Sequence, residues 1–307
     1  MPHDSLSPLF AGERGITAGG ERVLWRETVP DPRWGYRSWS DLVIYNVKTG
    51  KKERLTSKGK FTASAISPDG LTAAGVEYQE REGYSLLLFS TEKKEKLRSL
   101  DINGMGHLFD PALSGDGRAA LCSIDKQGNS IIIIDTETGR AEAVIQHTYL
   151  EHFRSPVFHG NYLFYVSDYT GIDNIYALDL NTKKRYRVTS VTLGAYYPHV
   201  TENGRRLIYN EYHYSGYRAA SIKLDPEKWT AFEKLHKPDD PYVEAYTGQE
   251  LGPDLIVPDD LPEKEYEVKE YYTLTDGMKI PGWLVFFNST TKDFSVKEKQ
   301  FGSDAFM

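Results

Sequence analysis

The chain carries a single cysteine, Cys122, so no intrachain disulfide can form and a cysteine-rich zinc site is excluded. Cys122 lies in Ala119-Ala120-Leu121-Cys122-Ser123-Ile124, a setting that predicts a small buried apolar residue rather than a nucleophile. No apolar run reaches the roughly 18–20 residues that cross a bilayer as a helix, so no membrane span is expected in this chain. Met1-Pro2-His3-Asp4 has neither the basic nor the apolar stretch of a secretory leader. These residues alone are therefore expected to remain in the cytosol. Basic tracts are scarce as well. The net charge is −7, and Lys93-Lys94-Glu95-Lys96 is short, mixed with acid and reads as a solvated turn. Without a basic stripe for phosphates, no nucleic-acid partner is expected.

Catalytic and cofactor signatures are missing in the same way. There is no His-Glu-x-x-His helix and no Gly-x-x-x-x-Gly-Lys loop. Asp168 and Asp173 lack the alternating acids of a calcium loop and read as turn residues. The histidines are scattered, and Asp239-Asp240 and Asp259-Asp260 flank prolines as linker acids do. The expectation is a non-enzymatic chain with no metal and no cofactor.

Aromatic residues are abundant: 21 Tyr, 13 Phe and 5 Trp. With Val, Ile and Thr they favour pleated, half-buried strands. A turn recurs along the chain: Ser67-Pro68-Asp69-Gly70, Ser114-Gly115-Asp116-Gly117, Phe158-His159-Gly160-Asn161 and Thr201-Glu202-Asn203-Gly204, with Gly19-Gly20 before them. The turn glycines stand about 45 residues apart, the spacing of propeller blades. Between them, hairpin-linked strands fall in groups of four. In the second repeat these are residues 62–66, 71–77, 84–89 and 96–100. The third strands, Leu42-Val43-Ile44-Tyr45, Leu86-Leu87-Leu88-Phe89 and Ile131-Ile132-Ile133-Ile134, are continuous apolar runs that imply burial on both faces. The fold predicted is all-β: a β-propeller of four-stranded antiparallel blades. Five are visible, the first strand of blade one is weak within 13–18, and blade five shows no evident fourth strand. A sixth blade from the tail, from further residues or from a second chain stays open, and so does the oligomeric state.

The repeated turn, the Thr49-Gly50 and Thr138-Gly139 hairpins, and Asp168-Tyr169-Thr170-Gly171-Ile172-Asp173-Asn174-Ile175-Tyr176 resemble the TolB-like family of WD-repeat-like propellers over about residues 12–225. Leu193-Gly194-Ala195-Tyr196-Tyr197-Pro198, Tyr212-His213-Tyr214-Ser215-Gly216-Tyr217, Asp31-Pro32-Arg33-Trp34 and Ser38-Trp39-Ser40-Asp41 look like propellers of bacterial envelope proteins that precede an outer-membrane barrel-like segment. That resemblance implies a periplasmic or cell-envelope setting. Tyr271-Tyr272-Thr273-Leu274-Thr275-Asp276-Gly277-Met278-Lys279-Ile280-Pro281-Gly282-Trp283-Leu284 is similar to the segment joining propeller to hydrolase in prolyl-oligopeptidase-like serine peptidases. The residues after Leu284 hold no Gly-x-Ser-x-Gly elbow, so this chain would lack the catalytic half.

The domain reading places the propeller at 1–225, a short helix (227–236) and a Pro/acid-rich linker in 226–265, and C-terminal strands in 266–307. The ending is expected to be that of a fragment or truncated product.

Function is sought in the loops. In a propeller of this strand order, the connections from second to third strand and from blade to blade open on one face. The candidates there are Arg33, Trp34, Tyr36, Arg37, Tyr78, His107, His152, Arg154, Tyr169, Asp173, Tyr196, Tyr197, Tyr212 and His213. Tyr, Trp and Arg bury much area at low entropic cost and dominate interface energies. The set predicts a face that binds a polypeptide or a neighbouring domain; packing between blades, or capping of the channel, suits the same residues. The alternatives are the substrate-gating propeller of a prolyl-oligopeptidase-like enzyme and a glycan-binding propeller.

Overall fold

The computed structural model describes residues 15–34, 36–79, 83–102, 104–201 and 203–237. The Tyr271–Leu284 resemblance and the linker and strands assigned from 238 onward lie outside them.

Blade one is β1 (Thr17–Gly19), β2 (Arg22–Pro30), β3 (Ser38–Asn46) and β4 (Lys51–Arg54). Blade two is β5 (Phe61–Ile66), β6 (Thr72–Gln79), β7 (Gly83–Ser90) and β8 (Lys96–Asp101). Blade three is β9 (His107–Leu113), β10 (Arg118–Asp125), β11 (Gly128–Asp135) and β12 (Ala141–Thr148). Blade four is β13 (Phe153–His159), β14 (Tyr162–Ser167), β15 (Asn174–Asp179) and β16 (Arg185–Arg187). Blade five has three strands among the described residues: β17 (Ala195–Val200), β18 (Arg206–His213) and β19 (Gly216–Lys223). Every pair within a blade is antiparallel, as hairpin connections require.

In blades two, three and five the recurrent turn is the same hydrogen-bonded unit. Ser67 Oγ accepts the Thr72 N–H at 2.9 Å and donates to Asp69 at 2.5 Å, while Gly70 N–H donates to Ser67 O at 2.8 Å. Ser114 with Asp116 and Thr201 with Asn203 repeat the pattern although the letters have drifted. Gly70 and Gly117 take φ of 74° and 84°, which side chains resist.

The third strands of blades one to four are buried at their centres, and the apolar contacts run from blade to blade. Leu24, Leu42, Ile44, Phe61 and Phe89 join blades one and two. Val76, Leu88, Leu108, Leu121 and Ile132 join two and three. Cys122, Ile131, Phe153, Leu163 and Tyr176 join three and four. Phe164, Val166, Ile175, Leu207 and Tyr209 join four and five. The inner strands β1, β5, β9, β13 and β17 line a central channel of about 1690 Å³.

The short helix expected over 227–236 does not form. Pro226–Lys228 and Phe232–Lys234 are single 3-10 turns around β20 (Thr230–Ala231), which pairs with the edge of β16. Tertiary contact overrides local propensity here. Trp229 meets Tyr162 at 5.0 Å, and Phe232 lies 3.8 Å from the Arg185 guanidinium. The chain after blade five thus returns to blade four.

Candidate docking face

The hairpins β2–β3, β6–β7, β10–β11, β14–β15 and β18–β19 emerge at the same end as the connectors between blades. We call this end the crown. The longest of its hairpin connections lies between β2 and β3, and Asp31 holds the residues around it. The carboxylate accepts N–H bonds from Arg33 at 2.8 Å and Trp34 at 3.2 Å, and Arg37 lies 3.7 Å away. Those backbone donors, the Arg33 N–H foremost, hold the Asp31 carboxyl below its usual range. Arg33 lies 5.2 Å over the Trp34 ring and Arg37 4.6 Å over Trp39. These contacts hold Arg33, Trp34 and Arg37 in place, yet Trp34 is 48% exposed and Tyr36 fully so.

Around the rim, Tyr78 packs 4.9 Å from Tyr84, whose hydroxyl meets His107 Nδ1, and His107 stacks on Phe109. His147 reaches Asp125 at 3.1 Å, and Tyr149 bonds the carbonyl of Lys126. His152 binds Asp168 twice, through its backbone N–H and its ring, each at 2.8 Å. Arg154 grips both oxygens of Asp173 at 3.1 Å. Tyr196 is hydrogen-bonded to Asp173, and burial foremost, with that bond, pushes its hydroxyl pKa up to about 12. At blade five, Tyr217 sits 5.0 Å from Tyr212 and 5.9 Å from Tyr196, and Tyr214 stands 4.0 Å from His213.

The sequence candidates therefore divide. Arg33, Trp34, Tyr36, Arg37, Tyr78, His107, His152, Tyr212 and His213 stand around the crown. Arg154, Asp173 and Tyr196 are there too but are engaged with one another. Tyr169 packs against Phe232 at 4.2 Å and belongs partly to the apolar cluster between blades three and four. Tyr197 lines the channel, with φ of 54° just before Pro198. Tyr84 and Tyr217 went unselected because each takes its place through a partner on another strand.

Cys122 is fully buried and its thiol pKa is pushed up by that burial, so it offers no thiolate. No group of three or more metal-ligating side chains forms among the described residues.

Fold and strand order make this chain a β-propeller of four-stranded antiparallel blades. No family model matches the sequence, and no curated protein matches it. A TolB-class protein from Agrobacterium tumefaciens is similar in structure, with a TM-score of 0.55 at 17% identity over 71% of this chain and 79% of its own. TolB from Acinetobacter baumannii gives 0.52 at 15% identity over 69% of this chain and 52% of its own. This chain thus spans about half the length of that TolB. Dipeptidyl peptidase 4 from Porphyromonas gingivalis is looser, at 0.46 and 10% identity over 71% of this chain and 37% of its own, and carries no functional argument. Identities this low establish the fold alone. No helix of the described residues is long and apolar enough to cross a membrane.

Proposed function

We propose that this propeller is a non-catalytic scaffold that docks a polypeptide, or a neighbouring domain, on its crown in a bacterial cell envelope. One observation carries the reading: among the described residues, exposed aromatics are segregated to that end. Trp34, Tyr36, Tyr78, Tyr149, Tyr212, Tyr214 and Tyr217 are all exposed there, and Tyr197 opens on the channel. Toward the opposite end, among the described residues, the exposed large apolar residues are Val47, Leu71 and Leu97, all aliphatic. Aromatics that only packed between blades would not be left in solvent on one end. Large, stiff side chains with polar tips, set among Arg33 and Arg37, supply contact area at low entropic cost. The envelope setting rests on the likeness of the 193–198 and 212–217 segments to envelope propellers.

The test is an array of unrelated peptides probed with the intact chain. Peptide binders are expected, and the joint change Arg33→Ala with Trp34→Ala should weaken them about tenfold or more, as loss of an interface anchor does. The melting temperature should hardly move. Unfolding of that variant would place the pair in the core. Preferential capture on a glycan array, or labelling by a fluorophosphonate, would replace docking with the sugar-binding or the peptidase reading.

A further inference from the structure

We propose that the free edge of β19 takes up an extended, acidic polypeptide by strand addition. The proposal rests on the crown reading and adds how the polypeptide is held. In blades one to four the third strand is flanked by a fourth, β4, β8, β12 or β16. Past Lys223 the chain instead leaves for blade four and pairs there as β20. The outer side of β19 is unpaired among the described residues.

Its pairing with β18 runs from His213↔Gly216 to Arg206↔Lys223 without a register shift. A two-residue turn makes the pair at its mouth a doubly bonded one, and alternation follows from there. The N–H and C=O groups of Tyr217, Ala219, Ser221 and Lys223 therefore point outward. One of them, Ser221 O, also takes a long 3.3 Å contact from Arg206. Natural edges are blunted by proline, bulges or dense charge. β4 is all charge, Lys51-Lys52-Glu53-Arg54, whereas β19 runs Ala219-Ala220-Ser221-Ile222 mid-strand with none of these devices.

Composition decides what kind of occupant fits. β3, β7, β11 and β15 are buried at their centres, but Tyr217, Arg218, Ala219, Ser221 and Lys223 of β19 are exposed. Small and polar residues stand where the other blades have Leu and Ile. This strand is not built to bury a large apolar face; backbone pairing gives affinity without one. Arg205, Arg206, Arg218 and Lys223 surround the edge, opposed by Glu211 and by an Asp225 already paired with Lys228 at 3.3 Å. That local excess of positive charge, in a chain of net charge −7, favours an acidic strand. It also sets like charges against each other if two copies pair through β19. The edge is continuous with the crown through Tyr217, which touches Tyr212.

The test uses the full chain and a fluorescent peptide alternating valine and glutamate. The peptide should bind, and the same peptide N-methylated at alternate residues should bind about tenfold more weakly or worse. In amide exchange, Tyr217, Ala219, Ser221 and Lys223 should be open in the free chain and protected with peptide. Ala219→Pro removes one outward donor and spares the β18 ladder; it should cost about fivefold in affinity, the worth of one hydrogen bond. Ala219→Ser should change nothing. Equal binding of the methylated peptide overturns the proposal. So does protection already present in the free chain (a segment of its own seated there) or protection rising with protein concentration (a second copy). If binding depends on Trp34 and Tyr36 but not on β19, strand addition fails and crown docking stands. If no peptide depends on either, both fail.

Discussion

Glu151 and Arg185 are buried together in blade four, with side chains 4% and 17% exposed. Arg185 bonds Glu151 and the Tyr165 hydroxyl and lies against Phe232, while Ser167 donates to Glu151 at 2.5 Å. Arg185→Ala would strand a buried carboxylate, and urea unfolding at neutral pH should show a loss of about 3–5 kcal/mol. Joint Glu151→Gln and Arg185→Met should cost less than the two single losses added together. The cluster also sets an alkaline limb. Burial raises the Tyr165 hydroxyl pKa well above its ordinary 10.0, and the folded state holds it neutral. This contribution is full below pH 10 and is lost as pH rises through the folded value. Tyr165→Phe should lower stability at neutral pH by removing a hydrogen bond yet flatten the decline above about pH 10, read as urea midpoints across that range. At this scale the sequence was partly legible. Arg33 and Trp34 could be singled out because their hairpin loop is the longest of its kind. The engagement of Arg154 with Asp173, and of Tyr169 with Phe232, could not be read, because the partners are remote along the chain and meet only through the fold.

Turns and strands carry the next level. Gly70 and Gly117 hold equivalent turn positions in different surroundings. A Cβ on Gly70 would lie 2.3 Å from Gly19 O, whereas one on Gly117 would first meet Thr136 Oγ1 at 3.6 Å. Gly117→Ala should cost only the left-handed backbone, about 1–2 kcal/mol. Gly70→Ala must also displace the blade-one turn, so its melting temperature should fall markedly further in a side-by-side thermal scan. Asp69 belongs to the same turn, and bonds from Ser67 Oγ–H and Leu71 N–H hold its pKa below 3.8. Its contribution is present above that value and lost as pH falls through the folded one, so Asp69→Asn should flatten the acid limb of stability. Four strands per repeat could be read because turn chemistry and apolar third strands are local signals. The tail at 226–237 was misread because β20 exists only by pairing with β16, and spacing within the segment does not report that partner.

At the scale of the molecule, stacking of blades puts all second-to-third-strand hairpins on one end, and among the described residues that end concentrates the exposed aromatics. Periodicity revealed the stacking, and the order of strands revealed the end. The missing fourth strand of blade five was legible from its spacing, but the return of the chain to blade four was not, since it depends on which strand β20 pairs with. The most direct measurement is hydroxyl-radical footprinting of the intact chain, free and with a peptide taken from the array. Trp34, Tyr36, Tyr149, Tyr212, Tyr214 and Tyr217 should lose reactivity together, while Leu71 and Val47 at the far end stay unchanged. Protection confined to the far end, or to Tyr197 in the channel, would contradict docking at the crown.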